Sequence, residues 1–343
     1  MKPLNQLIRP NIKNLKPYSS ARDEYTGEAA VFLDANENPF NQPYNRYPDP
    51  YQRKVKEKIA ELKQVAASQI FLGNGSDEPI DLLFRAFCEP GVDNVVSIDP
   101  TYGMYQVAAD INNIEVRKVL LTTDFELDVE ALLAACDDNT KLLFICSPNN
   151  PTGNCLKEAD ILTLVKAFEG IVVLDEAYID FAPDKSLLSQ LDQYPNLVIL
   201  QTLSKAWGMA GIRLGMAFAS EDIVKLLSNI KYPYNINVLT QQKALELLER
   251  GEEQQNWVQQ LLSERELMQL ALIDLSFVQK VYPSDANYLL VKVDDAKGIY
   301  NYLVEKKIII RDRSSVALCE GCLRITIGQP SENKLLLDEL RKY

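Results

Sequence analysis

Residues 202–213 read Thr202-Leu203-Ser204-Lys205-Ala206-Trp207-Gly208-Met209-Ala210-Gly211-Ile212-Arg213. This stretch follows an apolar run, 197–200, that has the character of a buried strand. A second apolar run further upstream ends in Asp175-Glu176-Ala177-Tyr178. Ligands of open α/β sheets bind just beyond the carboxyl ends of the strands. The sequence therefore predicts that Lys205 and Asp175 face a common site.

The residue types in these two stretches fit pyridoxal phosphate. A lysine can hold this cofactor as a Schiff base, and an aspartate at a strand end can pair with its pyridine nitrogen. Arg213 can bind the phosphate with a bidentate fork, and Tyr178 can reach the ring hydroxyl. Taken singly, Lys205 could be a surface charge, Asp175 a turn former and Arg213 half of an ion pair. Their joint order and spacing favour the cofactor.

The composition narrows the classes of function. A net charge of −12 opposes general affinity for nucleic acid, which depends on Lys and Arg against phosphates. The chain has no histidine, so proton transfer falls to Lys, Tyr, Cys, Asp or Glu. No apolar run reaches the roughly eighteen residues of a membrane span, and the N-terminus lacks the apolar core of a signal peptide. We therefore expect a cytoplasmic protein without nucleic-acid or membrane partners.

The six cysteines do not suggest a disulfide framework. Cys319 and Cys322 form a C-x-x-C pair, but no second pair and no histidine accompany them. The pattern favours a loop with two free thiols over a zinc site. No metal site is expected.

Strand-like and helical patterns alternate through the middle of the chain. The predicted strands are 94–98, 114–119, 141–146, 171–174, 197–200 and 214–219. Such alternation predicts an α/β fold whose large domain is a doubly wound, mainly parallel sheet. Two helices near 237–250 and 253–274 precede the predicted strands 277–282, 288–293, 308–310 and 323–327, which indicate a smaller α+β domain. We expect an N-terminal arm (1–45) packing with the small domain, a large cofactor-binding domain (46–235) and the small domain (236–343).

Further candidates follow other predicted strands. The turn 73–78 opens a helix, so its backbone N–H groups at Ser76 and Asp77 can cradle a phosphate, although an ordinary capped helix is the simpler interpretation. Tyr102 could stack on a planar ring or belong to the core. The Asn150 amide could donate to a ring oxygen, or it could serve only the turn before Pro151.

Two arginines stand out in the C-terminal part. Arg324 lies inside an apolar alternating strand, where a guanidinium is costly unless an anion pairs with it. Arg311 lies just after another short apolar run. The partners could be a substrate carboxylate and a substrate phosphate, or structural acidic residues.

Motifs along nearly the whole chain carry a family resemblance. They are Arg9-Pro10-Asn11-Ile12, Leu15-Lys16-Pro17-Tyr18, Leu33-Asp34-Ala35-Asn36-Glu37-Asn38-Pro39, Arg46-Tyr47-Pro48-Asp49, Arg85-Ala86-Phe87-Cys88-Glu89-Pro90-Gly91, Pro100-Thr101-Tyr102-Gly103-Met104-Tyr105, Asp175-Glu176-Ala177-Tyr178-Ile179 and Cys322-Leu323-Arg324-Ile325. In these motifs the chain resembles the histidinol-phosphate aminotransferases, which are class II pyridoxal-phosphate-dependent aminotransferases of fold type I. The lysine segment is typical of the superfamily, whereas the motifs around Tyr18 and Tyr102 are more particular to this family.

The resemblance implies a role for each candidate residue. Lys205 would bond the cofactor covalently, Asp175 would pair with its ring nitrogen, and Tyr102 would stack on its ring. Tyr178 and Asn150 would bind the ring hydroxyl. The cofactor phosphate would be held by Ser76, Asp77, Thr202, Ser204, Arg213 and, from a neighbouring subunit, Tyr47. The substrate would be bound by Tyr18, Asn36, Arg311 and Arg324, with Arg311 serving both the phosphate and the distal carboxylate of glutamate.

The implied reaction exchanges an amino group between L-histidinol phosphate and 2-oxoglutarate in histidine biosynthesis. Because Tyr47 would complete the partner's site, the resemblance also implies a homodimer. Three other functions stay open at this point: an aromatic amino-acid aminotransferase, a decarboxylase acting on threonine phosphate, and a cofactor-binding regulator without turnover. The regulator is disfavoured because Lys205 is present and no additional N-terminal domain precedes the arm.

Overall fold

The computed structural model of the chain describes residues 2–18 and 30–343. Its strands are β1 Ile70–Asn74, β2 Asn94–Asp99, β3 Glu115–Leu120, β4 Thr140–Cys146, β5 Ile171–Asp175, β6 Leu197–Thr202, β7 Leu214–Phe218, β8 Val278–Val281, β9 Tyr288–Val293, β10 Arg311–Asp312 and β11 Cys322–Thr326. Its α-helices are α1 Leu4–Leu7, α2 Pro10–Lys13, α3 Arg53–Lys63, α4 Asp77–Phe87, α5 Met104–Ile111, α6 Val129–Ala134, α7 Glu158–Ala167, α8 Glu221–Ile230, α9 Val238–Leu248, α10 Gly251–Ile273, α11 Ala296–Glu305 and α12 Pro330–Leu340. Short 3-10 helices span Ala67–Gln69, Ile179–Phe181, Pro183–Lys185, Leu188–Gln190 and Ala210–Ile212.

The larger sheet has the strand order β1-β7-β6-β5-β4-β2-β3. The five strands from β6 to β3 in this order run parallel, whereas β7 is antiparallel to both of its neighbours. The predicted α/β class with a mainly parallel sheet is confirmed. The sequence analysis missed β1, because its short apolar run ends in Gly73 and leads directly into a helix.

Helices cover both faces of this sheet. Side chains of successive strand residues point to opposite faces, so Val172 and Leu174 join the core layer beneath α3, α7 and α9. Ile171 and Val173 join the layer beneath α4, α5 and α8. Every residue of β5 is buried, as expected for a central parallel strand. The buried centre of the sheet therefore carries the residues that follow β5.

The smaller sheet is antiparallel, with the order β10-β11-β9-β8. Helices α10, α11 and α12 bury their apolar side chains against it in a separate core, as expected for an α+β unit. The helix α9, which the sequence analysis assigned to the small domain, buries Ala244 and Leu248 in the core of the large sheet instead. The exact division of the chain into domains stays a prediction.

The N-terminal residues lie on the large sheet's helical layer. Leu7 is buried in the core layer beneath α4, and the N–H of Arg9 donates to the carbonyl of Ala86 at 3.0 Å. The expected position was against the small domain. The difference arises because Leu4, Leu7 and the residues that follow carry an apolar stripe that fits α4. Residues 19–29 of the arm lie outside the described residues.

Candidate active site

One open cavity lies at the carboxyl ends of the parallel strands. Its lining brings together ten of the residues singled out in the sequence: Ser76, Asp77, Tyr102, Asn150, Asp175, Tyr178, Thr202, Ser204, Lys205 and Arg213. They lie at the ends of five different strands or just after them, and they meet at one edge because parallel strands end there together.

Lys205 projects into this cavity from the loop after β6. Its amine lies 5.4 Å from the centre of the Tyr178 ring. Burial lowers the pKa of Lys205, and the positive charge of Arg324 lowers it further. A lysine with a lowered pKa holds a larger fraction of neutral amine at neutral pH, which a proton acceptor needs.

Asp175 ends β5 at the buried end of the cavity. Its carboxylate accepts hydrogen bonds from the Tyr105 hydroxyl at 2.7 Å and from the N–H of Ala177 at 3.0 Å. Burial raises the pKa of Asp175 to about 6, although the Tyr105 hydrogen bond opposes that shift. A carboxylate in this position favours a cationic partner, because a positive charge would offset the cost of burying it.

The opposite end of the cavity is rich in donors. Here Ser76, the N-cap residue of α4, and Asp77, its first residue, lie with the hydroxyls of Thr202 and Ser204 and the guanidinium of Arg213. Ser76 makes no capping hydrogen bond through its side chain, so the N-terminus of α4 keeps N–H groups for a ligand. This donor set is typical of an anion site.

Two glycines allow this end of the cavity to form. Gly75 has a φ of +69°, and a Cβ there would lie 2.6 Å from Nη2 of Arg213. A Cβ on Gly215 would lie 2.2 Å from the backbone nitrogen of Ser76. Gly215 therefore needs glycine because β7 approaches the loop before α4 too closely for a side chain, and Gly75 needs it because of its positive φ.

Aromatic and amide side chains frame the middle of the cavity. Tyr102 donates its hydroxyl to Asp77 at 3.0 Å. Tyr178 packs edge-on against Tyr288, with 5.1 Å between the ring centres. Asn150 accepts a hydrogen bond from Nη1 of Arg324 at 2.6 Å, so a residue of the small sheet is tied directly to the cavity.

A wider cleft opens beside the cavity and shares Tyr102, Asn150, Tyr178 and Lys205 with it. Arg311 and Arg324, predicted from the sequence, line this cleft. Arg313 lines it too, although the sequence analysis did not single it out. The arrangement can hold a planar cofactor in the cavity and an anionic substrate in the cleft.

Three predicted residues lie away from both openings in the single chain. Tyr18 is 70% exposed and Asn36 is exposed. Tyr47 is half exposed and stacks on Tyr234, with 4.4 Å between the ring centres. Their proposed roles at the site stay predictions.

Sequence reasoning also missed Tyr105, Gly75, Cys146 and Ala177, which contact Asp175 or line the cavity. Of these, Tyr105 carries the clearest signal, since it lies three residues after Tyr102 in the same aromatic motif, 100–105. Within residues 2–18 and 30–343 no cluster of three or more Cys, Asp or Glu side chains could hold a metal ion. No helix in those ranges combines the length and apolarity needed to cross a membrane.

Comparison with known proteins shows the family to which the chain is similar. A model of the family "aminotransferase class I and II" matches residues 24–340. The histidinol-phosphate aminotransferase of Bacteroides fragilis strain YCH46 is 60% identical over the full length of both chains. That of Parabacteroides distasonis is also 60% identical, over 99% of each chain.

Solved structures share the fold. The histidinol-phosphate aminotransferase from Clostridium acetobutylicum superposes with a TM-score of 0.81 at 24% identity, covering 87% of this chain and 90% of that one. The enzyme from Sinorhizobium meliloti, solved in complex with pyridoxal-5'-phosphate, gives 0.80 at 23% identity, covering 87% and 82%. The chain therefore belongs to the class I and II aminotransferases and, within them, to the histidinol-phosphate aminotransferase family.

Proposed function

We propose that this chain transfers an amino group between L-histidinol phosphate and 2-oxoglutarate, giving imidazole-acetol phosphate and L-glutamate, with pyridoxal phosphate as cofactor. The observation that carries the proposal is the convergence of Lys205, Asp175 and Arg213 on one cavity beside an arginine-lined cleft. Relatives with 60% identity over the full chain bear this activity in their names, which supports the choice of substrate. The aromatic amino-acid alternative has no such support.

The residues of the cavity fit the cofactor. Pyridoxal phosphate has a phosphate at one end, a basic ring nitrogen at the other and an aldehyde and hydroxyl between them. The cavity offers the helix N-terminus and Arg213 at one end, Asp175 at the other, and Lys205 with Asn150 between. The close approach at Gly75 and Gly215 gives the phosphate end its shape. The donors and acceptors of the cavity and the shape of its phosphate end therefore match pyridoxal phosphate.

When bound, the cofactor supplies an electrophilic carbon for the amino group and a ring that accepts the electron pair released by proton removal. Nζ of Lys205 would take the proton from the substrate carbon that carries the amino group and return it to a carbon of the cofactor, since its lowered pKa leaves the amine able to accept. Asp175 would keep the ring nitrogen protonated by ion pairing with it. Tyr102, which lines the cavity, would cover one face of the ring and exclude water from it.

The same proposal includes a homodimer in the cytoplasm. Tyr47 does not line the cavity of its own chain, and it stacks on Tyr234 instead. Residues near Tyr47 in the sequence expose large apolar side chains: Leu33 is 91% exposed and Phe40 is 76% exposed. Such residues support an interface with a second copy, whose Tyr47 would complete the phosphate end of this cavity.

The test is a half-reaction. Purified protein loaded with cofactor is mixed with L-histidinol phosphate alone, and the cofactor absorbance is followed. We expect conversion much faster than with phenylalanine or tyrosine, because only the phosphate ester satisfies the arginines of the cleft. Conversion mainly by aromatic amino acids would keep the reaction type and reject the substrate. Release of carbon dioxide from threonine phosphate would reject transamination, and no conversion by any amine would reject an enzyme.

A further inference from the structure

Three arginines share one face of the small sheet. In the antiparallel ladder, Arg311 is paired directly with Arg324. Arg313 follows two residues later, and its N–H donates to the carbonyl of Cys322 at 2.9 Å. Directly paired residues share a face, and so do residues two apart along an extended chain. The register therefore puts three guanidinium groups along the cleft, and all three line it.

Carboxylates do not compensate these charges. Among residues 2–18 and 30–343, neither Arg311 nor Arg313 forms a salt bridge, and the Nε atoms of Arg313 and Arg324 are buried without a hydrogen-bond partner. The intervening Asp312 accepts from the N–H and hydroxyl of Ser314 instead. Burial lowers the pKa of Arg313, and the charges of Arg324 and Arg311 add to that effect. Like charges held together in this way favour an anionic ligand.

A phosphate monoester fits this set better than a carboxylate. It carries about −1.5 to −2 charges near pH 7 and three acceptor oxygens, so it can engage more than one arginine fork. A carboxylate has a single charge and two oxygens, which one fork satisfies. Arg324 is already bound to Asn150 beside the cofactor cavity. Arg311 and Arg313 are therefore the pair left for the far end of a substrate.

We propose that Arg313 is a specificity-determining residue, which with Arg311 binds the phosphate of a phosphate-monoester substrate and contributes little to a carboxylate substrate. The inference rests on the proposed function, because that reaction brings both kinds of substrate to one cleft in turn. Arg311 serves both substrates. Arg313 supplies the second fork that only the phosphate can use.

The test compares the holoenzyme with three variants. Arg313→Gln removes the fork and the charge, Arg313→Lys keeps the charge, and Arg341→Gln is the control. Arg341 is an exposed residue after α12 that pairs with Asp338 at 3.5 Å, so its loss removes one charge outside the cleft. Binding of inorganic phosphate is measured by calorimetry. The holoenzyme is used because its cofactor fills the phosphate end of the cavity, so that added phosphate can bind only in the cleft. KM is measured separately for L-histidinol phosphate and for glutamate.

We expect Arg313→Gln to weaken phosphate binding and to raise the KM for histidinol phosphate by about tenfold to a hundredfold, as the loss of charged hydrogen bonds implies. The KM for glutamate should change by less than about threefold, because no bond to that substrate is lost. Arg313→Lys should lie between Arg313→Gln and the unchanged protein, since lysine keeps the charge without the fork. Arg341→Gln should match the unchanged protein.

Two results would overturn the proposal: unchanged phosphate affinity in both Arg313 variants, or an equal loss with both substrates together with a lower Tm, which would mark a structural role. The proposed function can fail separately. If the unchanged protein does not convert histidinol phosphate but binds phosphate through Arg313, the anion site stands and the reaction assignment falls.

Discussion

Asp175 couples the electrostatics of the site to pH. Burial raises its pKa from 3.8 to about 6, so the folded protein without cofactor binds this proton more tightly than the unfolded chain does. The contribution of Asp175 to stability is therefore most favourable below pH 4 or so and declines as the pH rises through about 6. Above that pH the ionised carboxylate is held chiefly by Tyr105 and Ala177. The protonated ring nitrogen of the cofactor would offset the remaining free energy that it costs to bury the ionised carboxylate.

Tyr105 is accordingly a positioning residue for Asp175. We expect Tyr105→Phe to weaken cofactor binding about tenfold at neutral pH, because a hydrogen bond to a buried carboxylate is lost. The acidic limb of the binding curve should move to higher pH, since the lost bond lowers the pKa of Asp175 in the unchanged protein. Titration of the cofactor-free protein with pyridoxal phosphate across the range of about pH 5–8 measures both effects.

Tyr302→Phe is the matched control for this prediction. It removes a hydroxyl that donates to Glu339 at 3.1 Å, outside the site. Its binding curve should coincide with that of the unchanged protein. An acidic limb at the same pH in Tyr105→Phe and in the unchanged protein would contradict the positioning role.

At the residue scale, the sequence predicted the site residues that follow strand ends. It missed the residues whose place at the site depends on how a helix is rotated or how two strands are aligned. Lys205 and Asp175 were predictable because the edge where parallel strands end is a consequence of the fold class. Tyr105 reaches Asp175 only through the rotation of α5 about its axis. Arg313 joins the cleft only through the register of β10 against β11. Neither rotation nor register can be derived from residue types alone.

Among the elements, β7 was predicted as a strand but its direction was not. Apolar runs indicate burial, and a buried strand has the same pattern whichever way it runs. Its antiparallel course brings Gly215 against the loop before α4, next to Ser76. The close approach therefore depends on strand direction. It explains why Gly75 and Gly215 were not recognised as part of the site.

The close approach at Gly215 can be tested with alanine. We expect Gly215→Ala to weaken cofactor binding strongly and to lower Tm, because its Cβ would lie 2.2 Å from the nitrogen of Ser76 and the loop would have to shift. Gly211→Ala is the control, since a Cβ there meets nothing within 4 Å. Cofactor titration and thermal unfolding of both variants give the comparison. Equal behaviour of the two would show that the loop tolerates displacement.

At the scale of the whole molecule, the arrangement of the two sheets accounts for the site within one chain. It does not account for the large apolar side chains that the chain exposes on its surface. The small sheet reaches the cavity through the bond between Arg324 and Asn150. On the surface, Phe40 and Tyr232 are more than three-quarters exposed, and Tyr47 is half exposed. Exposed apolar residues of this size are typical of an interface. A symmetric dimer would bury them on both subunits at once.

Shared sites make a specific prediction for mixed dimers. A Lys205→Ala subunit paired with a Tyr47→Phe subunit contains one intact site, built from Lys205 of the second subunit and Tyr47 of the first. Random pairing of differently tagged, co-expressed subunits should therefore restore about a quarter of the unchanged activity, because half the dimers are mixed and half their sites are intact. The control is the double variant Lys205→Ala/Tyr47→Phe co-expressed with unchanged subunits. Its mixed dimers contain no intact site, so only the quarter of dimers built from two unchanged subunits should be active, whereas sites complete within one chain would retain about half of the activity. Activity equal to the mean of the two single variants, or full activity of a monomer in sedimentation at assay concentration, would rule out a site completed by Tyr47 of the partner.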